Sequence, residues 1–234
     1  MLFGLFYFDW TILIVLPAMI FAFWAQNKVN STFDKYSRKA THSGLTAAEA
    51  ARRMLNANGL YDVAIKPTPG ALSDHYDPRD RSLYLSQSVY ENKSEAAIGV
   101  ACHEAGHAIQ HAKGYAPLRI RMSIIPVCNI GSRLAFPLFF IGLLVGGIVS
   151  ETLMLAGIAC FSLATLFQLV TLPVEFDASR RALAGMQDCG LLYDDELTGA
   201  RKVLSAAAMT YVAALATSLL SLLRLIVIAN NRRR

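Results

Sequence analysis

Three stretches of the chain, 2–24, 152–174 and 203–229, are almost continuously apolar, and a fourth, 134–149, extends backwards to 124 through further apolar residues. Each of the four segments, taken as 2–24, 124–149, 152–174 and 203–229, reaches the roughly 20 residues that carry a helix across hydrocarbon. Asp9 is the one charge in the first and Arg224 the one charge in the last. The first lacks a leading Lys or Arg and a small-residue cleavage site, so it reads as an anchor, not a cleaved signal peptide. Only Ser150 and Glu151 separate the second from the third, which predicts a tight helical hairpin. The fourth opens with VLSAAAMTYVAALATS, small residues that suit close packing between membrane helices. A buried helix of a soluble core has the same composition and is the competing reading for that half.

The polar material forms one block at 26–121 and a shorter one at 175–202. About 95 residues make a small domain with a modest core, so the larger block is expected to lean on the apolar helices. Within it 46–58 predicts a helix: Thr46 with Glu49 three residues on is a capping box, and Gly59 closes the segment. Segments 62–66 and 81–86 alternate apolar and polar, which predicts strands, and 73–78 between them carries turn chemistry. A further helix is expected over 94–110 with Ser94 as its N-cap. The fold class is therefore a mainly α membrane protein, with about four transmembrane helices and a small α+β domain at the membrane surface. Its parts are an anchor (2–24), a polar surface domain (26–121), spans at 124–149, 152–174 and 203–229, and a helix with linker at 175–202.

Composition agrees with the pattern. Apolar residues are 54% of the chain and charged residues 17%, against about 25% charged in an average soluble domain. Lys28, Lys35, Arg38 and Lys39 follow the first span, Arg119, Arg121 and Arg133 lead into the second, and Arg180 and Arg181 follow the third. The hairpin turn carries no basic residue. By the positive-inside rule the 26–121 block is cytoplasmic in a multi-pass membrane protein, against the weaker objection of the tail Arg232, Arg233 and Arg234. The net charge of +5 is then membrane-flank charge, and no basic patch interleaved with aromatics points to nucleic acid. Cys102, Cys128, Cys160 and Cys189 show no paired spacing and fit a reducing compartment.

Residues 103–107 read H-E-A-G-H on the expected helix. Four residues make about one turn, so His103 and His107 share a face and can share one Zn²⁺. Glu104 is placed to act as base for a zinc-activated water attacking a peptide carbonyl. A catalytic zinc needs a third protein ligand. His111 lies one turn further, but the outer two of three such histidines are about 12 Å apart on a straight helix. It is expected beside the site, not on the ion. Glu175, where the third span ends and the hairpin returns the chain to the same side, is the best candidate. Against it stands the plainer role of a helix-start carboxylate after Pro173. Strand 81–86 is the natural edge for an extended substrate. His75 or Tyr76, just before it, are candidate donors to the oxyanion; His75 serves equally well as a turn residue. Arg180 is placed either to line the cleft or to snorkel to lipid phosphates.

The segments VNSTFDKYS (29–37), LSDHYDPRD (72–80), LYLS (83–86), HEAGHAIQHAKGYAPL (103–118) and LPVEFDASRRAL (172–183) together resemble the YugP-like neutral zinc metallopeptidases, multi-pass bacterial membrane proteins. More distantly the chain is similar to HtpX-type and CAAX-prenyl endopeptidases. The resemblance implies a gluzincin site with one zinc per chain on His103, His107 and Glu175. In the wider group the ligand glutamate is often followed four residues later by aspartate. Here position 179 is Ser and Asp177 lies nearby, which leaves the residue behind the ligands open. The expected activity is a membrane-embedded zinc endopeptidase acting on proteins or peptides, membrane proteins included. Two alternatives remain: an intramembrane, site-2-like protease, and a non-catalytic scaffold stabilised by zinc. The apolar lead-in 96–102 is too short for the first, and Glu104 is superfluous in the second. Oligomeric state is not legible.

Overall fold

Residues 9–232 are described by a computed structural model, in which helices dominate and one small sheet is present. Helix α1 runs Ile12–Ser37, well past the expected anchor, because nothing from 25 to 37 is Gly or Pro and Ala25 and Tyr36 are buried. Residues 2–8 of that anchor lie outside the described residues. Helix α2, Ala47–Ala57, starts on the expected capping box: the Thr46 hydroxyl accepts from the Glu49 amide at 3.2 Å, and Glu49 Oε2 accepts from the Thr46 amide at 2.8 Å.

Strands β1 (Ala64–Thr68), β2 (His75–Asp77) and β3 (Ser82–Ser86) form a sheet of order β1-β3-β2, with β3 parallel to β1 and antiparallel to β2. Two expectations change here. The segment read as pure turn contains β2, because Asp74 accepts from the Ser86 amide at 2.7 Å and its hydroxyl at 3.0 Å and so locks the register. The strand expected to offer a free edge is instead the central one, flanked on both sides. A short helix α3, Gln87–Tyr90, leads to α4, Glu95–Ala112. The Ser94 hydroxyl caps α4 by accepting from the Ala97 amide at 3.3 Å.

Helices α5 (Ala116–Leu144), α6 (Gly147–Asp188) and α7 (Asp194–Arg232) complete the chain. The hairpin turn falls at Val145 and Gly146, not at Ser150 and Glu151, and the positive φ of Gly147 (+70°), open to glycine at little cost, lets α6 start immediately after it. Ser150 and Glu151 then belong to the first turns of α6. Pro173 does not start a new helix; α6 runs through it to Asp188.

The chain divides into two units. One comprises residues up to Trp24, Ser123–Val170 and the chain from Val212. Its core is small, with Phe139, Met154, Leu225 and Ala229 buried, while large apolar side chains such as Ile20, Phe23, Phe140, Leu155 and Leu223 are exposed. The helices approach closely where side chains vanish: a Cβ on Gly157 would sit 2.7 Å from the Ala135 carbonyl, and one on Gly142 2.8 Å from the Met154 amide. Such contacts are how helices associate where the solvent is itself apolar. Arg224 is neutralised by Asp9 at 2.6 Å, and Arg232 donates to the Leu143 carbonyl and, at 3.0 Å, to that of Val145. Among the described residues four helices, α1, α5, α6 and α7, are long and apolar enough to cross a membrane.

The other unit comprises Ala25–Met122 and Thr171–Tyr211. Helix α4 is its centre: Ile98, Ala101, Cys102 and Ala105 are buried against Met54 and Leu55 of α2, Leu83 and Leu85 of β3, and Ala182 and Met186 of α6. Glycine and alanine along α4 permit this all-round burial. Gly106 is the tightest point, where an added Cβ would lie 2.7 Å from the Ala178 carbonyl oxygen. Its neighbour is backbone and cannot swing aside. Gly106→Ala is therefore expected to cost about 1–3 kcal/mol by overpacking. In detergent its unfolding midpoint should fall by several degrees; a midpoint equal to wild type would mean that α4 and α6 are not held at this spacing.

Candidate metal centre

The i, i+4 spacing on α4 brings the rings of His103 and His107 to 4.8 Å between centroids, nearly perpendicular at 86°. Glu175 of α6 reaches both: its Oε2 lies 3.2 Å from His103 Nε2 and 3.5 Å from His107 Nε2. The three donor atoms fall within 4.8 Å of one another. Two neutral imidazoles and a carboxylate are a donor set for Zn²⁺, and bond lengths of about 2.0–2.1 Å in a tetrahedron separate ligand atoms by about 3.3 Å. The contacts to Glu175 match that edge, so the residues fit the ion. Burial alone would lower the affinity of His107 for protons. The Glu175 hydrogen bond and the charges of Glu104 and Glu175 outweigh it and hold the imidazole above its ordinary range. This is a pocket built for positive charge.

Behind each ring stands a partner that sequence reading missed. His107 Nδ1 lies 3.0 Å from Gln110 Oε1. The Gln110 amide nitrogen donates to the Val174 carbonyl at 2.8 Å and to Asp177 Oδ2 at 2.9 Å, which leaves its oxygen facing His107. His107 must then carry its proton on Nδ1, freeing Nε2. His103 Nδ1 pairs in the same way with the Ser179 hydroxyl at 3.1 Å. Ser179 thus occupies the place, four residues after Glu175, where the wider group carries aspartate. Glu175 Oε1, turned away from the histidines, accepts from Arg121 at 2.9 Å. The signals were there as spacing, Gln110 at i+3 from His107 and Ser179 at i+4 from Glu175, but Arg121 had none and read as flank charge.

The remaining candidates separate. Asp177 is buried but faces Gln110, Arg180 and Arg181, with Arg181 Nε at 2.6 Å, and not the histidines. His111 pairs through Nδ1 with the Tyr76 hydroxyl at 2.8 Å and lies outside the donor cluster. His75 stacks on Tyr84 at 4.9 Å and bonds the Ser73 carbonyl, so it serves the turn. Arg180 is exposed and tied to Asp177. Cys102 is buried, and burial pushes its thiol far above the ordinary range, which removes it as a ligand.

Glu104 points into a cavity of about 150 Å³ beside His103. Asp74 and Tyr211 form the rest of its polar lining, and Val100, Val203 and Leu204 are among its apolar walls. Burial holds the Asp74 carboxyl above its usual range despite the two Ser86 hydrogen bonds. A base, a cation-ready donor set and a phenol around one small cavity can polarise a carbonyl and deprotonate a water. That is the equipment of a metal-dependent hydrolase of the H-E-x-x-H type.

Residues 11–230 match the family described as "Putative neutral zinc metallopeptidase". The chain is also 50% identical over 222 residues to the "Putative membrane protease YugP" of Bacillus subtilis (strain 168), covering 95% of this chain and 97% of that one. It belongs to this family of zinc metallopeptidases. No solved structure matches it.

The geometry ranks the zinc affinities of variants. In titrations on detergent-solubilised protein Glu175→Ala should lose most. Gln110→Ala, Ser179→Ala and Asp177→Ala, which act through the rings, should each lose about 10–100-fold. His111→Ala should bind as wild type does. If Glu175→Ala holds zinc normally while Asp177→Ala loses it, the third ligand is misassigned.

Proposed function

We infer that the protein is a membrane-embedded zinc endopeptidase, with one zinc held by His103, His107 and Glu175 and with Glu104 as general base. The convergence of three donor atoms beside Glu104 in one cavity carries this reading. Zinc, when bound, supplies Lewis acidity, polarising the scissile carbonyl and bringing the pKa of water towards about 7. Glu104 takes a proton from the attacking water and returns it to the departing amine as the C–N bond breaks. Tyr211, on the wall of the same cavity, donates to the carbonyl oxygen as that atom gains charge. Ser179, and Gln110 with Asp177, keep both imidazoles aimed. Arg121, donating to the outer oxygen of Glu175, keeps that carboxylate turned towards them.

An extended peptide pairs with the outer edge of β2, since β3 is occupied on both sides. Leu72 and Asp74, immediately before β2, line the cavity with Glu104, so a strand there leads a peptide to the base. The intramembrane alternative is disfavoured by α4 itself, whose 18 residues are not among the four helices fit to span. The scaffold alternative leaves Glu104 beside the cavity with no task.

Glu104→Gln should retain zinc and lose peptide hydrolysis by about 10²–10⁴-fold, and Tyr211→Phe should lower kcat about 10²–10³-fold with zinc retained. Full turnover by the Glu104→Gln enzyme would remove the proposed base.

The protein is placed in the bacterial inner membrane as a multi-pass protein, with 26–121 on the cytoplasmic side. Arg232, which argued against this from sequence, donates to the carbonyls of the α5–α6 turn. That contact supports a C-terminus at the end of the hairpin that carries no basic residue, and an α7 that crosses. Cysteines introduced at exposed positions in 26–121 should resist impermeant reagents in intact cells, and one at Asn231 should react. Reaction in the 26–121 block would invert the orientation.

A further inference from the structure

A second, larger cavity lies apart from the Glu104 cavity, as a groove of about 630 Å³ between α6 and α7. Its volume is in the range of ordinary small-molecule sites, about 300–1,000 Å³. One wall is the face of α6 that carries Phe176, Arg180, Leu183 and Ala184; the other is the face of α7 that carries Arg201 and Met209. The lining is mostly apolar, yet it holds two arginines and no acidic side chain. Arg180 is shared with Asp177. Arg201 is exposed and makes no ion pair among the described residues.

Position along the helices gives the groove a polarity. On α6, Phe176 follows directly on the apolar stretch 152–174, and on α7, Met209 lies within the stretch 203–229. Arg201 comes just before that stretch begins. The apolar end of the groove therefore adjoins the segments suited to hydrocarbon, and the cationic end adjoins the polar ones. An amphiphile with an anionic head and an apolar tail has the complementary order. Basic pockets between membrane helices are known to hold anionic headgroups for this reason.

We propose that this groove binds one anionic phospholipid taken from the bilayer, its phosphate at Arg201 and Arg180 and one acyl chain running from there towards Phe176 and Met209. Two lining residues also serve the metal centre. Ser179 bonds His103 Nδ1, and Leu204 lines both the groove and the Glu104 cavity. A chain in the groove packs directly behind them. The proposal rests on the membrane reading and not on the peptidase reading, because binding is measured without turnover.

The test is native mass spectrometry of the full-length protein in detergent with equimolar phosphatidylglycerol and phosphatidylcholine of identical chains. Wild type should retain one phosphatidylglycerol with a preference of about fivefold, the worth of one arginine near a phosphate. Arg201→Gln should bring that preference close to onefold. Ala184→Trp, an exposed position on the wall, should fill the groove and abolish retention of both lipids. Equal retention of the two lipids by wild type overturns the proposal, as does a preference that survives both substitutions. Displacement by inorganic phosphate at equal concentration would assign a bare anion site and overturn the acyl chain.

Discussion

Helices α4 and α6 touch at Gly106 and Ala178 with no side chain between them, and the spacing set there decides whether the metal centre exists. From that contact Glu175 reaches His103 and His107, Ser179 reaches His103, and Asp177 reaches Gln110. All three residues of α6 lie within one turn of Ala178. A helix pushed outward by even one methyl group would carry the carboxylate beyond ligand distance. Glycine in a helix costs roughly 0.5–1 kcal/mol relative to alanine, and here the cost is offset by the packing and polar contacts that the close approach allows.

Burial makes those contacts strong and demands that they be complete. Glu175 and Asp177 are almost fully buried, and a carboxylate left unpaired in such a place costs several kcal/mol. Each is surrounded accordingly: Glu175 by two imidazoles and Arg121, Asp177 by Gln110, Arg180 and Arg181. Alternation of donors and acceptors through His107, Gln110 and Asp177 fixes the tautomer that leaves Nε2 free. On the Glu175 side the chain supplies two imidazoles and one carboxylate, a donor set that would accept a divalent cation.

The apolar unit follows different packing rules. Between Ser123 and Val170 the side chains that would form a core in water are turned outward, and contacts are made through glycine, as at Gly142 and Gly157. The charges in these helices find partners or helix ends: Arg224 meets Asp9, and Arg232 meets the free carbonyls at the end of α5. Such pairing is what a low-dielectric surrounding requires of any charge placed in it.

Sequence alone determined what depends on local spacing. The two histidines and their glutamate share a helix by number, Thr46 and Ser94 cap by identity, and the four apolar runs are visible as length. Glu175 was reachable because the hairpin returns it to the correct end. Sequence misread what depends on partners distant in the chain. Residues 75–77 read as turn because the hydrogen bonds that make them a strand come from Asp74 and β3, and 81–86 read as an edge because pairing order is not local. Ser150 and Glu151 looked like a turn by polarity, whereas backbone freedom at Gly147 placed it earlier. Arg121, Ser179, Gln110 and Tyr211 carry no motif of their own. Their meaning arises only when the helices bring Gln110, Ser179 and Arg121 against His107, His103 and Glu175 and put Tyr211 on the cavity wall, a matter of helix spacing that no single segment encodes.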